Sequence, residues 1–141
     1  MIVLPFEKEH LQRMVIQQRQ QGLEHLLTKE VYEVLVHSPA YTALDGDEVL
    51  ACAGVIEVAP GRACAWAYIS SDVGSRMKFV TKAVRRFLDA AQFRRIEMDV
   101  DCDFPQAHRW ARLLGFDLEC ERRKSFTPDG RDCALYARVK V

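Results

Sequence analysis

Two periodicities divide the chain: short apolar runs set off by glycine- and proline-bearing turns, and longer stretches in which apolar residues return every three to four positions. "MIVLPF" opens as a strand. "EKEHLQRMVIQQRQ" predicts a helix with Leu11, Met14 and Val15 on one face, broken at Gly22. "TKEVYEVLVHS" predicts a second helix, with Thr28 as N-cap, Glu30 in the first turn and Val31, Val34 and Leu35 at helical spacing; Pro39 closes it. "EVLACAGVIEV" is almost wholly apolar, the pattern of a central strand buried on both faces. Turn signals bracket it, "DGD" at 45–47 and "APGR" at 59–62. In "RACAWAYIS" size alternates: Ala63, Ala65 and Ala67 share one face, and Cys64, Trp66 and Tyr68 the other.

Helical spacing returns in "SDVGSRMKFVTKAVRRFLDAA", where Met77, Val80, Val84, Phe87, Leu88 and Ala91 make a core stripe. "RRIEMDVD" alternates strictly, Ile96, Met98 and Val100 against Arg95, Glu97, Asp99 and Asp101, and predicts a half-buried strand. "FPQAHRWARLLG" is a short helix with Asp103 as N-cap, Pro105 in the first turn and Gly115 at the stop. "FDLECERRKSF", a "TPDG" turn and "RDCALYARVKV" close the chain as a hairpin. The order is strand, two helices, three strands, helix, strand, helix, two strands. It predicts an α/β (α+β) fold with a mixed sheet, in a single domain over residues 1–141.

Composition narrows the function. Lys plus Arg equals Asp plus Glu at 20 each, which excludes a nucleic-acid binder driven by bulk charge. No apolar run approaches the roughly 20 residues of a membrane span, and "MIVLPFEKEH" lacks the basic start and long apolar stretch of a signal peptide. The five cysteines are odd in number and none sits in a C-x-x-C pair, so buried free thiols in a reducing compartment such as the cytoplasm are expected.

The acids of "EMDVDCDF" pose a chemical question. An EF-hand loop starting at Asp99 needs glycine sixth and glutamate twelfth; Phe104 and Trp110 stand there, so no metal is expected. A catalytic carboxylate pair and a solvated strand face screened by Arg94 and Arg95 both remain. Glu57 interrupts an otherwise apolar strand. It is either a proton acceptor with a pKa raised by burial, or the strand's exposed end. His108 is a solvent-facing helix residue or a catalyst. Trp66 and Tyr68 are core or pocket wall, or part of the chemistry.

The stretch from "RACAWAYISSDVGSRM" through "RWARLLGF" to "FTPDGRDCALYARV" resembles the GCN5-related N-acetyltransferase (GNAT) fold. More narrowly, it resembles GNAT-like proteins of tailed phages and prophages, a group that includes an internal virion protein of short-tailed phages. The resemblance covers about residues 40 to 141; the first 40 match in general layout. It implies a mixed, mostly antiparallel twisted sheet with helices on both faces, and acetyl-CoA or CoA as cofactor. The pantetheine would pair with the strand backbone from Trp66 to Ser71. The pyrophosphate would sit on N–H groups where the next helix begins, which are unpaired and partly positive. That makes Ile69, Ser70, Ser71, Val73, Gly74, Ser75, Arg76, Met77 and Lys78 the cofactor-binding candidates, and Glu57 and Tyr68 the catalytic ones.

The chain departs from the family pattern in two places. "SSDVGSRMK" has the single glycine Gly74 where the phosphate loop carries two small residues. With Gly74 as the first, Arg76 takes the second position; with Gly74 as the second, Asp72 takes the first. Arg76 and Lys78 either compensate by pairing with phosphate or form a solvated basic helix face. The family's thiolate-protonating tyrosine is replaced by Ala111. The partners implied are a CoA thioester and an amine acceptor or, for a catalytically idle GNAT-fold protein, phage structural proteins. Gln17, Gln18, Gln20 and Gln21, on the acceptor side, form a polar cluster without a ligand signature.

Overall fold

The strands lie in one seven-stranded sheet in the order β1-β2-β3-β4-β5-β7-β6. A computed structural model describes residues 1–14 and 28–140. Its elements are β1 (Ile2–Pro5), α1 (Lys8–Arg13), α2 (Lys29–Val36), β2 (Ala40–Asp45), β3 (Glu48–Ala59), β4 (Arg62–Ile69), a 3₁₀ turn (Gly74–Arg76), α3 (Met77–Ala90), β5 (Arg95–Asp101), α4 (Pro105–Leu113), β6 (Asp117–Arg123) and β7 (Cys133–Val139). The order of elements is the one the periodicities predict. Pairing is antiparallel at β1–β2, β2–β3, β5–β7 and β6–β7 and parallel at β4–β5, so the sheet is mixed and mostly antiparallel. Contacts group the chain into two compact units, Met1–Ile56 with Trp66–Val84, and Glu57–Ala65 with Arg85–Val141.

In the first unit, α1 is shorter than its periodicity suggests. Met14 takes an extended backbone (ψ 138°) and closes the helix after Arg13. Val15, Gly22 and the glutamine cluster lie outside the described residues. At its start Glu7 and His10 form a reciprocal capping box. Thr28 caps α2 as expected, its hydroxyl accepting the Val31 N–H at 3.3 Å. Phe6, Leu11, Met14, Leu35, Ala40, Leu44, Val49 and Cys52 form one apolar cluster, and Tyr32, Ile56, Trp66 and Tyr68 pack against it. Each large side chain removed from water there contributes about 1.5–3 kcal/mol. The central strand β3 is buried from Val49 to Cys52 and again at Gly54 and Val55, as its apolar run predicts.

In the second unit, β5 pairs with β7 along its whole length, from Arg95↔Val139 to Asp101↔Cys133. Its parallel register with β4 consists of Arg62↔Arg95, Ala63↔Ile96 and Cys64↔Glu97. Pro105 begins α4 and Gly115, at φ +89°, follows its cap, both as expected. Asp103 is not the N-cap: Phe104 holds that position, and the Asp103 N–H donates to Asp101 Oδ1 at 2.9 Å in a local turn. Ile96, Val100, Ala111, Leu114, Phe116, Ala134 and Tyr136 are buried. All five cysteines are free; Cys52 and Cys133 are buried, while Cys64, Cys102 and Cys120 are only half-buried. No helix among the described residues is long and apolar enough to cross a membrane, and none of their acids, histidines and cysteines group into a metal site.

Candidate functional site

The cofactor-binding candidates come together where β4 leaves the sheet. The Ser70 N–H donates to Leu50 O at 2.8 Å, the last rung toward β3. The strand then folds over on itself: Ser70 Oγ accepts the Asp72 N–H at 3.1 Å and Ser70 O accepts the Val73 N–H at 3.3 Å. Ile69, Ser70 and Val73 are buried, so the turn is rooted in the protein, while Ser71, Gly74, Ser75 and Lys78 are exposed. Gly74 adopts φ +53°, a left-handed conformation that favours glycine, and a Cβ there would meet nothing within 4 Å. One 3₁₀ turn leads into α3. Neither carries an acid in its first turn, so the partial positive charge of the helix start is not neutralised from within. N–H groups in such a first turn have no acceptor inside the helix.

Arg76 does something other than reach outward. Its Nη1 donates to Glu48 Oε1 at 2.7 Å and Asp45 Oδ2 at 3.1 Å. Nη2 donates to Glu48 Oε2 at 2.9 Å and Asp72 O at 2.5 Å, and Nε to Val73 O at 3.2 Å. A guanidinium has five N–H donors, and all five are engaged. The expectation that Arg76 pairs with phosphate is corrected: its charge is answered by the β2–β3 turn. The hydrogen bonds from Arg76 hold the Glu48 carboxyl below its usual range, and those from Glu48 and then Asp45 hold the guanidinium proton more tightly than usual.

Trp66 and Tyr68, from the bulky face of β4, pack against the first unit's core. Trp66 meets Phe6 edge-on at 5.3 Å between ring centres and lies 6.2 Å from Tyr68. The Trp66 indole N–H is buried and finds no hydrogen-bond partner among the described residues. Next to this face runs a polar chain that composition does not reveal. His10, between Phe6 and Leu11 in sequence, is buried at 7% exposure. Its Nδ1 accepts the Glu7 N–H at 3.1 Å, so the Thr42 hydroxyl, 2.9 Å away, must donate to it. Thr42 Oγ1 is then left as acceptor for the Cys52 thiol at 3.7 Å. A buried histidine on a helix carries no periodic signal that sequence reading could have used.

Burial pushes the Cys52 thiol from 9.0 up to about 12, against a smaller downward pull from Thr42. The folded protein thus keeps a proton that the unfolded chain releases between those values. Stability is full below the unfolded pKa and falls as pH rises toward the folded one, by about 1.4 kcal/mol per pH unit from this thiol. Unfolding free energies from urea melts between about pH 9 and 11 should fall with pH, and those of Cys52→Ala should fall less steeply by about 1.4 kcal/mol per pH unit.

Three other candidates fall elsewhere. Glu57 is exposed near the end of β3, so the burial invoked to raise its pKa is absent. His108 is half-buried rather than solvent-facing: Nε2 donates to Cys102 O at 3.2 Å, which leaves Nδ1 to accept the Tyr136 hydroxyl at 2.7 Å. Of the acids of β5, Asp99 is exposed and Glu97 and Asp101 are half-buried, and all three are paired. Glu97 meets Arg95 at 3.1 Å and Arg62 at 3.6 Å, Asp99 meets Arg123 at 2.8 Å, and Asp101 meets Arg131 at 2.9 Å. Arg95 is the screen foreseen; Arg62, Arg123 and Arg131 come from other strands and loops. Ala111, where the family's tyrosine stands, is fully buried.

No protein-family model and no curated protein sequence matches the chain. Its structure is similar to solved N-acetyltransferases along nearly its whole length. A putative phosphinothricin N-acetyltransferase shares 13% identity at a TM-score of 0.77, over 99% of this chain and 98% of that one. Ard1 from Thermoplasma volcanium also shares 13% identity at 0.77, over 99% and 97%. The ribosomal-protein-S18-alanine N-acetyltransferase from Escherichia coli shares 16% at 0.72, over 98% and 92%. The chain therefore has the GNAT fold.

Proposed function

We propose that the chain is an acyl-CoA N-acyltransferase, moving an acetyl group from acetyl-CoA to an amine, encoded by a phage or prophage and working as one domain in the host cytoplasm. The observation that carries it is the turn after β4: a buried strand end, an open left-handed Gly74 and a helix start with no acid in its first turn. Neighbours of that fold covered almost end to end support the single-domain reading. The phage origin rests on the sequence resemblance.

Acetyl-CoA, when bound, supplies the activated thioester. The backbone of Ile69, Ser70 and Ser71 would hold its pantetheine, and the helix start at Val73, Gly74, Ser75 and Met77, with Lys78 beside it, its pyrophosphate. The amine nitrogen forms the new C–N bond as the C–S bond breaks, and the amine's proton passes to solvent or a base while the sulfur leaves as thiolate. Positioning is the protein's first contribution. Tyr68, on the bulky face of β4, is the candidate proton donor to that thiolate; exposed Glu57 serves only as an acceptor through water.

Titrating CoA into the purified chain tests this. A ligand at 100 times its Kd should add about 2.7 kcal/mol of stability, seen as a rise in melting temperature. A flat response to CoA and acetyl-CoA overturns it. The engagement of every Arg76 donor and the loss of the tyrosine at Ala111 favour a second reading, a catalytically idle GNAT-fold component of a virion or its assembly. Co-purification with capsid or portal proteins, with no CoA response, would establish that one.

A further inference from the structure

The geometry points to Arg76 as a positioning residue for acyl-CoA: anchored by Glu48 and Asp45, it holds the carbonyls of Asp72 and Val73 so that the Gly74 N–H faces the pyrophosphate. This inference rests on the acyl-CoA reading. In a trans peptide the C=O and the following N–H point in opposite directions. The Val73 carbonyl accepts from Arg76 Nε at 3.2 Å and from the Arg76 N–H at 3.1 Å. The Gly74 N–H, in the same peptide plane, therefore points away from the guanidinium. The Asp72 carbonyl is held by Nη2 at 2.5 Å, fixing the preceding plane as well.

The anchor is itself braced. Glu48 and Asp45 flank the tight β2–β3 turn, where Gly46 sits at φ +58°. From α1, Arg13 Nη2 donates to Asp47 O at 2.8 Å, pinning the turn from its other end. The fork of Arg76 takes both oxygens of Glu48, a geometry that lysine cannot reproduce. A large side chain thus stands at a position where a small residue is expected, because it folds back beneath the loop rather than into the ligand's space.

Two explanations of Arg76 make opposite predictions. If it positions the loop, Glu48→Gln loosens the anchor and weakens CoA binding. If it is a phosphate ligand held back by carboxylates, Glu48→Gln frees it and strengthens binding. Calorimetric Kd values for CoA and for pantetheine, which lacks the pyrophosphate, separate these. We expect Arg76→Ala and Arg76→Lys to lose tenfold or more in CoA affinity, Glu48→Gln to lose several-fold, and pantetheine affinity to stay level, which also shows that the variants are folded. Tighter CoA binding by Glu48→Gln, unchanged binding by Arg76→Ala, or an equal loss for pantetheine would each overturn the inference. No binding of CoA by the unaltered chain would instead remove the proposed function beneath it.

Discussion

Replacing Gly54 by alanine is expected to cost about 3 kcal/mol and to lower the melting temperature by roughly 10 °C. Gly54 lies in β3 opposite Ala40 of β2. A Cβ on it would fall 2.5 Å from Pro39 O, 2.6 Å from Ala40 Cβ and 2.9 Å from Ala40 Cα. Two of these are backbone atoms, so no side-chain rotation relieves the clash. Pro39 O also accepts the Val55 N–H at 2.9 Å, so moving it away breaks a hydrogen bond in a buried strand. Thermal unfolding followed by circular dichroism checks the result. Gly46→Ala is the comparison: its Cβ meets nothing within 4 Å, so only the strain of φ +58°, about 1–2 kcal/mol, applies. If the two variants melt together, the close approach of β2 to Gly54 is wrong.

Gly74→Glu is expected to reduce CoA affinity at least a hundredfold. A carboxylate facing a pyrophosphate costs several kcal/mol, and each 1.4 kcal/mol is about tenfold. Gly74→Ala separates charge from backbone strain. It shares the penalty at φ +53°, about 1–2 kcal/mol of stability, but its methyl enters open space, so its CoA affinity should fall only a few-fold. Isothermal titration of both variants is the measurement. Equal affinities for Gly74→Glu and the unaltered chain would place CoA elsewhere and leave the β4 turn without a ligand.

The parts of this site that were legible in the sequence are those set by local chemistry. "VGSR" after an apolar strand announces a turn into a helix, and the structure has one. Thr28 caps as its position before the helix suggests. What could not be read was the company each polar group keeps. Arg76 looked free for phosphate because Glu48 is 28 residues away in sequence. Asp99 looked like a candidate acid because Arg123 is 24 away, and the contact of the His10 ring with Thr42 spans 32 residues. Asp103 is not the cap because the helix begins one residue later than its position supposes: Phe104 holds the N-cap, and Asp103 sits in a local turn on the Asp101 carboxylate.

By itself, then, the sequence determined the type and order of the elements, the turns between them and, in β5, the alternation that buries Ile96 and Val100. Those follow from side-chain periodicity and from glycine and proline conformations, which act over a few residues. Only the tertiary structure decided which charges neutralise one another, that Glu57 stays in water and that Arg76 folds under the β4 turn. Such pairings depend on which strands become neighbours, and that is settled by burying apolar surface contributed from distant parts of the chain.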